Sequence, residues 1–248
     1  MTDAAATVGA VAPEGRAGVS SQGTADFDER PPVPVGDYDA TARGMNPGYE
    51  LVFALTAALL RAHCPAEARL LLVGAGGSTE VRAVGTAGPG WRLTAVDPSA
   101  EMLALAQAAA EAAGLGDRVR FLRGTPDDLP PGERFDAATA LYVLMHLPDD
   151  GSKLRLLRGI AARLEPGAPL ILVDSLRDQR DRFAAAWQHY AVARGVSAEW
   201  MSAFLAQIAA SSNTATEARE LALLGEAGFR DAARFFAAFT INGWIATR

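Results

Sequence analysis

Leu70-Leu71-Leu72-Val73-Gly74-Ala75-Gly76-Gly77-Ser78 is a short apolar run that breaks into five small residues. An apolar run of this length ending at glycine reads as a buried strand, and the small residues read as the turn that hands it to a helix. Glycine lets a ligand come close to the backbone there, and free N–H groups at a helix start bind polar or anionic groups. About 21 positions beyond Gly76, the next apolar run, Arg92 to Val96, ends at Asp97. A carboxylate in that place can accept hydrogen bonds from both hydroxyls of a ribose. Together the two features predict a nucleotide-like ligand at the carboxyl edge of a parallel sheet.

The pattern on either side supports such a sheet. Further strands are predicted at Val119 to Leu122, Phe135 to Leu141 and Pro169 to Asp174, each closed by turn residues. Helices are predicted between them: Tyr49 to His63 after the breaker pair Asn46-Pro47, Ser99 to Ala113 with Ser99 as N-cap and Gly114 as terminator, and Gly151 to Leu164. Strands alternating with helices imply a doubly wound α/β sheet. From Arg177 to Leu224 the pattern is helical throughout, which reads as a cap or insertion at the sheet edge. Ala232 to Thr240 and Trp244 to Thr247 then flank Asn242-Gly243, a pair suited to a tight hairpin turn, so an antiparallel pair is expected to close the sheet. The expected fold is thus Rossmann-like, seven-stranded and mostly parallel, with a C-terminal antiparallel hairpin after a helical insertion at 177–224.

Half of the 248 residues are hydrophobic, enough for one α/β core and too few for two generous ones. One domain over 31–248 is expected, after an Ala- and Gly-rich tail at 1–30 read as disordered; Pro31, Pro32 and Pro34 read as an extended linker. A formal charge of -6 gives no global attraction to phosphate backbones, so nucleic acid is not an expected partner. No run of about 18 apolar residues suits a membrane span, and the N-terminus lacks a secretory signal. Cys64 is the only cysteine, so the cytoplasm is the default location. A homodimer is allowed, but oligomeric state does not follow from these residues.

At Gly74 to Gly76, Asp97, Gly124-Thr125-Pro126-Asp127-Asp128-Leu129-Pro130, Phe135-Asp136 and Leu164-Glu165-Pro166-Gly167-Ala168, the chain resembles the class I methyltransferases that use S-adenosylmethionine (SAM). Within that family it is most similar to the branch containing carboxy-SAM synthase, through Pro47-Gly48-Tyr49, Glu226-Ala227-Gly228-Phe229 and the closing Phe239 to Ala246. The resemblance implies SAM as cofactor and a small-molecule methyl acceptor. On the strand side it implies cofactor contacts from Gly74, Ala75, Gly76, Asp97, Pro98 and Met102. Thr125, Pro126, Leu141 and Tyr49 complete the cofactor set, although the Tyr49 ring suits core packing equally well.

The chain also departs from the family pattern. Leu72 stands where motif one commonly has an acid, Ser78 replaces its final glycine, and Thr125 replaces the adenine-side aspartate. Asp127 and Asp128 are alternative carboxylates there, or simply helix caps. The resemblance would place an arginine for the extra carboxylate of carboxy-SAM at Leu205, which cannot pair with a carboxylate. Unless Arg194 or Arg219 substitutes from elsewhere, ordinary SAM is the expected cofactor. Thr79, standing where a third glycine would be, disfavours a nicotinamide dinucleotide.

Methyl transfer from a sulfonium needs no covalent enzyme intermediate and no obligatory base. If a base operates, His146, just after the fourth strand, is the first candidate, with a turn-orienting hydrogen bond as its ordinary role. His189 is the second, accompanied by Trp187 and Tyr190, which together with Tyr142 are the candidates for an apolar acceptor pocket. The expected reaction is N- or O-methylation of a small aromatic or heterocyclic molecule. Unusual SAM chemistry of the carboxy-SAM type and a non-catalytic SAM-fold binding protein are the alternatives. The segment Tyr38 to Met45 suits a lid over the cofactor or an ordinary linker. No metal site is expected.

Overall fold

A computed structural model describes Asp28, residues 35–211 and residues 213–248. The tail, apart from Asp28, and the linker prolines Pro31, Pro32 and Pro34 lie outside these residues. Seven strands form one sheet in the order β3-β2-β1-β4-β5-β7-β6. The strands are β1 (Arg69–Val73), β2 (Arg92–Asp97), β3 (Val119–Arg123), β4 (Ala137–Leu141), β5 (Pro169–Ser175), β6 (Arg230–Ala238) and β7 (Ile241–Thr247). The first five run parallel, and β7 is antiparallel to both β5 and β6. The predicted mostly parallel sheet with an antiparallel end is therefore present. Strand order reverses between β1 and β4, which leaves a crevice at their carboxyl ends.

The helices are α1 (Tyr38–Met45), α2 (Tyr49–His63), α3 (Thr79–Ala87), α4 (Ala100–Ala112), α5 (Ser152–Arg163), α6 (Arg180–Val192), α7 (Ala198–Ala210) and α8 (Glu217–Glu226). Helix α2 follows Gly48, whose φ of 72° turns the chain out of Asn46-Pro47. Helix α4 starts where Ser99 accepts a hydrogen bond from the Met102 N–H, so the predicted N-cap is observed. One core layer lies between the sheet and α2, α3 and α4, where Leu70, Leu72, Val52, Val84 and Ala106 are buried. The other joins the opposite face to α5 and α8 through Leu71, Val73, Leu157, Ile160 and Leu223. Strand β4 is buried along its whole length, and alanine at 137, 138 and 140 suits a central strand covered on both faces.

Two expectations need correction. Phe135 makes only an isolated bridge to Leu164, and β4 proper starts at Ala137. The hairpin turn is Phe239-Thr240, with Phe239 at φ 52°, while Asn242 and Gly243 lie inside β7, opposite Asp174 and Val173 of β5. Gly243 is needed for close packing instead: a Cβ there would lie 2.8 Å from the Phe235 ring. Between β5 and α8, α6 and α7 join α1 in a separate aromatic cluster of Met45, Trp187, Val196, Trp200 and Met201. No helix among the described residues is long and apolar enough to cross a membrane.

Candidate active site

The glycine turn between β1 and α3 forms the floor of the site. Gly74 has φ +65°, and a Cβ on it would meet Val143 Cγ2 at 2.5 Å. A Cβ on Gly76 would meet Met102 Cβ at 2.5 Å and Asp97 Oδ2 at 2.8 Å, so hydrogen is the only substituent that fits. Asp97 closes β2. Its Oδ2 accepts from the Gly76 N–H at 3.0 Å and its Oδ1 from the Ser99 N–H at 2.8 Å. Burial pushes this carboxyl up to about 6, although both N–H bonds favour the ionised form. The strand-end acid and the turn are thus one hydrogen-bonded unit.

Above this floor is a cavity of about 210 Å³ at the carboxyl edge of the sheet. Gly74, Gly76, Asp97, Pro98 and Met102 line it below, and Leu141 and Tyr142 line it on the β4 side. Tyr38, Thr41, Ala42 and Met45 of α1 cover it, while Trp187, Trp200 and Phe204 extend it under the cap. Tyr49 is both a core residue and a cavity wall: its ring meets Phe53 edge-on at 4.9 Å and lies 6.3 Å from Tyr142. Tyr142 is held at φ 61°, with its N–H donating to the Val173 carbonyl at 2.6 Å. Its buried hydroxyl has no hydrogen-bond partner among the described residues. An ordinary side chain at positive φ beside a cavity marks a place where the surroundings impose the conformation.

His146 also lines the cavity. Burial, assisted by the charge of Lys153, pushes its imidazole down to about 4, so it is neutral at pH 7 and a weaker base than an exposed histidine. Its short turn, residues 144–146, is fixed from beneath. Lys153 Nζ donates to the Leu144 carbonyl, and Asp174 accepts from the Met145 N–H at 3.0 Å.

Five candidates from the sequence do not reach the cavity wall. Ala75 is fully buried, its N–H donating to the Val96 carbonyl. Thr125 and Pro126 open a short helical turn in which the Asp128 carboxylate accepts from the Thr125 N–H at 2.8 Å, so Asp128 serves as a cap. His189 is on the exposed side of α6, because helical spacing turns it away when Trp187 faces inward. Tyr190 packs edge-on against Phe239 beneath Arg194. Arg219 is paired with Asp149 and Glu226. Neither arginine considered as a partner for an extra carboxylate lines the cavity, and Leu205 packs against the cap cluster.

Tyr38, Thr79, Glu80, Trp200 and Phe204 were not among the sequence candidates for the site. The aromatic spacing on α7 was a usable signal for Trp200 and Phe204, whose rings stack at 5.3 Å. Glu80 had only its place in the first turn of a helix, where acids are common on electrostatic grounds alone.

The seven-stranded, mostly parallel sheet with its antiparallel end matches the Rossmann-like fold found in methyltransferases. Residues 71–170 match the family model described as a methyltransferase domain. Similar solved structures include a candidate O-methyltransferase of Nostoc punctiforme, with a TM-score of 0.64 and 20% identity over 86% of this chain and 59% of that one. The mitomycin 7-O-methyltransferase has a TM-score of 0.60 and 22% identity over 86% and 57%. The N,N-8-amino-8-demethyl-D-riboflavin dimethyltransferase of Streptomyces davawensis has 0.60 and 21% over 86% and 57%. The chain therefore spans less than three fifths of each of these proteins, and at such identities the likeness is one of fold.

Proposed function

We propose that this protein transfers a methyl group from SAM to nitrogen or oxygen of a small aromatic or heterocyclic molecule. The observation that carries this reading is the Gly76–Asp97 unit lining a cavity that Trp187, Trp200 and Phe204 also line. Asp97 would accept the ribose hydroxyls, the glycines would let the ligand lie against the backbone, and Pro98, Met102 and Leu141 would supply apolar contact. Tyr49 would pack over the same ligand. When bound, SAM supplies a methyl group activated by its sulfonium. The enclosing aromatic residues would align the acceptor and keep water out, which is most of what an in-line methyl displacement needs. His146, which lines the cavity and is neutral at pH 7, would take a proton from the acceptor or simply shape the wall.

Ordinary SAM is favoured over a carboxylated form because no lysine or arginine among the described residues lines the cavity. Activity with small molecules similarly fits the named mitomycin and riboflavin-type relatives of the fold. A cytoplasmic location suits a chain with one cysteine.

The test is an acceptor screen with methyl-labelled SAM across phenols, aromatic amines and nitrogen heterocycles. Labelled product formed in step with S-adenosylhomocysteine (SAH) is the expected result. Tight SAM binding with no turnover across the screen would instead favour the non-catalytic binding protein.

A further inference from the structure

Among the described residues two carboxyl groups line the cavity, and a nucleoside accounts for only one of them. Asp97 faces the place expected for a ribose. Glu80, in the first turn of α3, is 6% exposed and also lines the cavity. It accepts a hydrogen bond from the hydroxyl of Thr139 on β4. Thr139 is the register partner of Leu72 on β1, so the two side chains leave the same face of the sheet. The helix thus brings a carboxyl to a point beside Leu72, the strand position that lacks an acid.

Among the described residues, no cation pairs with Glu80. Asp97 on β2 and Tyr38 on α1 are the ionisable groups that interact with it, and the arginines of these elements are engaged or exposed: Arg43 of α1 pairs with Glu50, while Arg82 of α3 and Arg92 of β2 are exposed. The cavity is also lined by the aromatic residues Tyr38, Tyr49, Tyr142 and Trp187. A buried carboxyl in an aromatic-lined cavity, with no lysine or arginine among the described residues on its wall and with His146 neutral, is arranged for a cationic ligand.

We propose that Glu80 receives the α-ammonium group at the amino-acid end of the SAM ligand while Asp97 holds the ribose end. This rests on the SAM reading above and adds a residue and a charge state to it. Burial pushes the Glu80 carboxyl up to about 8, against the opposing effect of the Thr139 hydrogen bond and with the Asp97 charge adding to the rise. Glu80 is therefore mostly protonated at pH 7 before the ligand arrives. An ammonium beside it stabilises the carboxylate, and the displaced proton goes to solvent. Asp97, near 6, is already mostly ionised and releases little.

SAH carries the ammonium without the sulfonium, and 5′-methylthioadenosine carries the nucleoside without the amino-acid arm. Both are titrated calorimetrically into the wild-type protein and Glu80→Gln at pH 7, in two buffers of different ionisation enthalpy. Loss of a charge-assisted hydrogen bond is expected to weaken SAH by about 30-fold in Glu80→Gln, while methylthioadenosine changes by less than about twofold and so reports an intact site. Wild-type protein should release most of a proton on binding SAH, and Glu80→Gln should not. Equal losses for the two ligands, or unchanged SAH affinity, would overturn the role of Glu80 and leave the SAM reading standing. A wild-type protein that binds neither ligand would overturn the SAM reading itself.

Discussion

At the floor of the cavity, β1, the glycine turn and β2 place Asp97 through backbone geometry, with Gly76 and Ser99 N–H groups holding its two oxygens. At the roof, α1, α6 and α7 contribute side chains that hold one another: Trp187 donates to the Met45 carbonyl at 2.6 Å and meets Phe204 edge-on at 6.0 Å. The floor tolerates almost no change, because its glycines have no room for a single carbon. The roof is a packed cluster whose members can be exchanged for others of similar volume. On the proposed function, the fixed floor would hold the methyl donor and the adjustable roof would select the acceptor.

The largest effect that would sharpen this contrast is expected from Gly76→Val. Its Cβ would collide with Met102 and Asp97, so SAM affinity should fall more than about 100-fold, read by calorimetry, because the carboxylate and turn are displaced together. Unchanged affinity would mean that the turn is not the binding floor. Trp187→Ala addresses the roof. Removing this fully buried indole should cost about 3–5 kcal/mol in urea unfolding. Turnover of an acceptor should suffer far more than SAH affinity, and equal losses in both would break the division between floor and roof.

A third prediction concerns stability and pH. The folded-state carboxyl of Glu80 lies near 8, against the ordinary 4.5. Between these values the folded protein holds a proton that the unfolded chain has released, so stability falls as pH rises through this window. Glu80→Gln removes that contribution. The melting temperature of the ligand-free variant should therefore gain on wild type from pH 5 to pH 9, and parallel curves would contradict the burial of this acid. The smallest effect is expected at Ser99→Ala, where loss of the α4 cap should cost about 1 kcal/mol in urea unfolding. A loss of several kcal/mol would show that the hydroxyl supports the floor as well as the helix.

The floor was legible in the sequence because it depends on residue types with few substitutes. The turn at 74–78, the acid at 97 and the cap at 99 each announce themselves by backbone chemistry, and helix α2 appears over the predicted residues Tyr49–His63. The roof was only partly legible. Aromatic residues on α6 could be counted, but their rotation decides the outcome: Trp187 is buried and His189, two residues on, is exposed. Asn242-Gly243 carried a turn signature that tertiary packing overrode, since the Phe235 ring needs the open face of Gly243. Glu80 could not be singled out because its meaning comes from the Leu72–Thr139 register, a relation between strands about 67 positions apart in the chain.

The most direct measurement of the central claim is a calorimetric titration of the purified protein with SAM, paired with the same titration of Asp97→Ala. The account predicts micromolar binding that weakens by at least about 30-fold when the carboxylate is lost. Absence of binding to the wild type, or equal affinity in the variant, would contradict it.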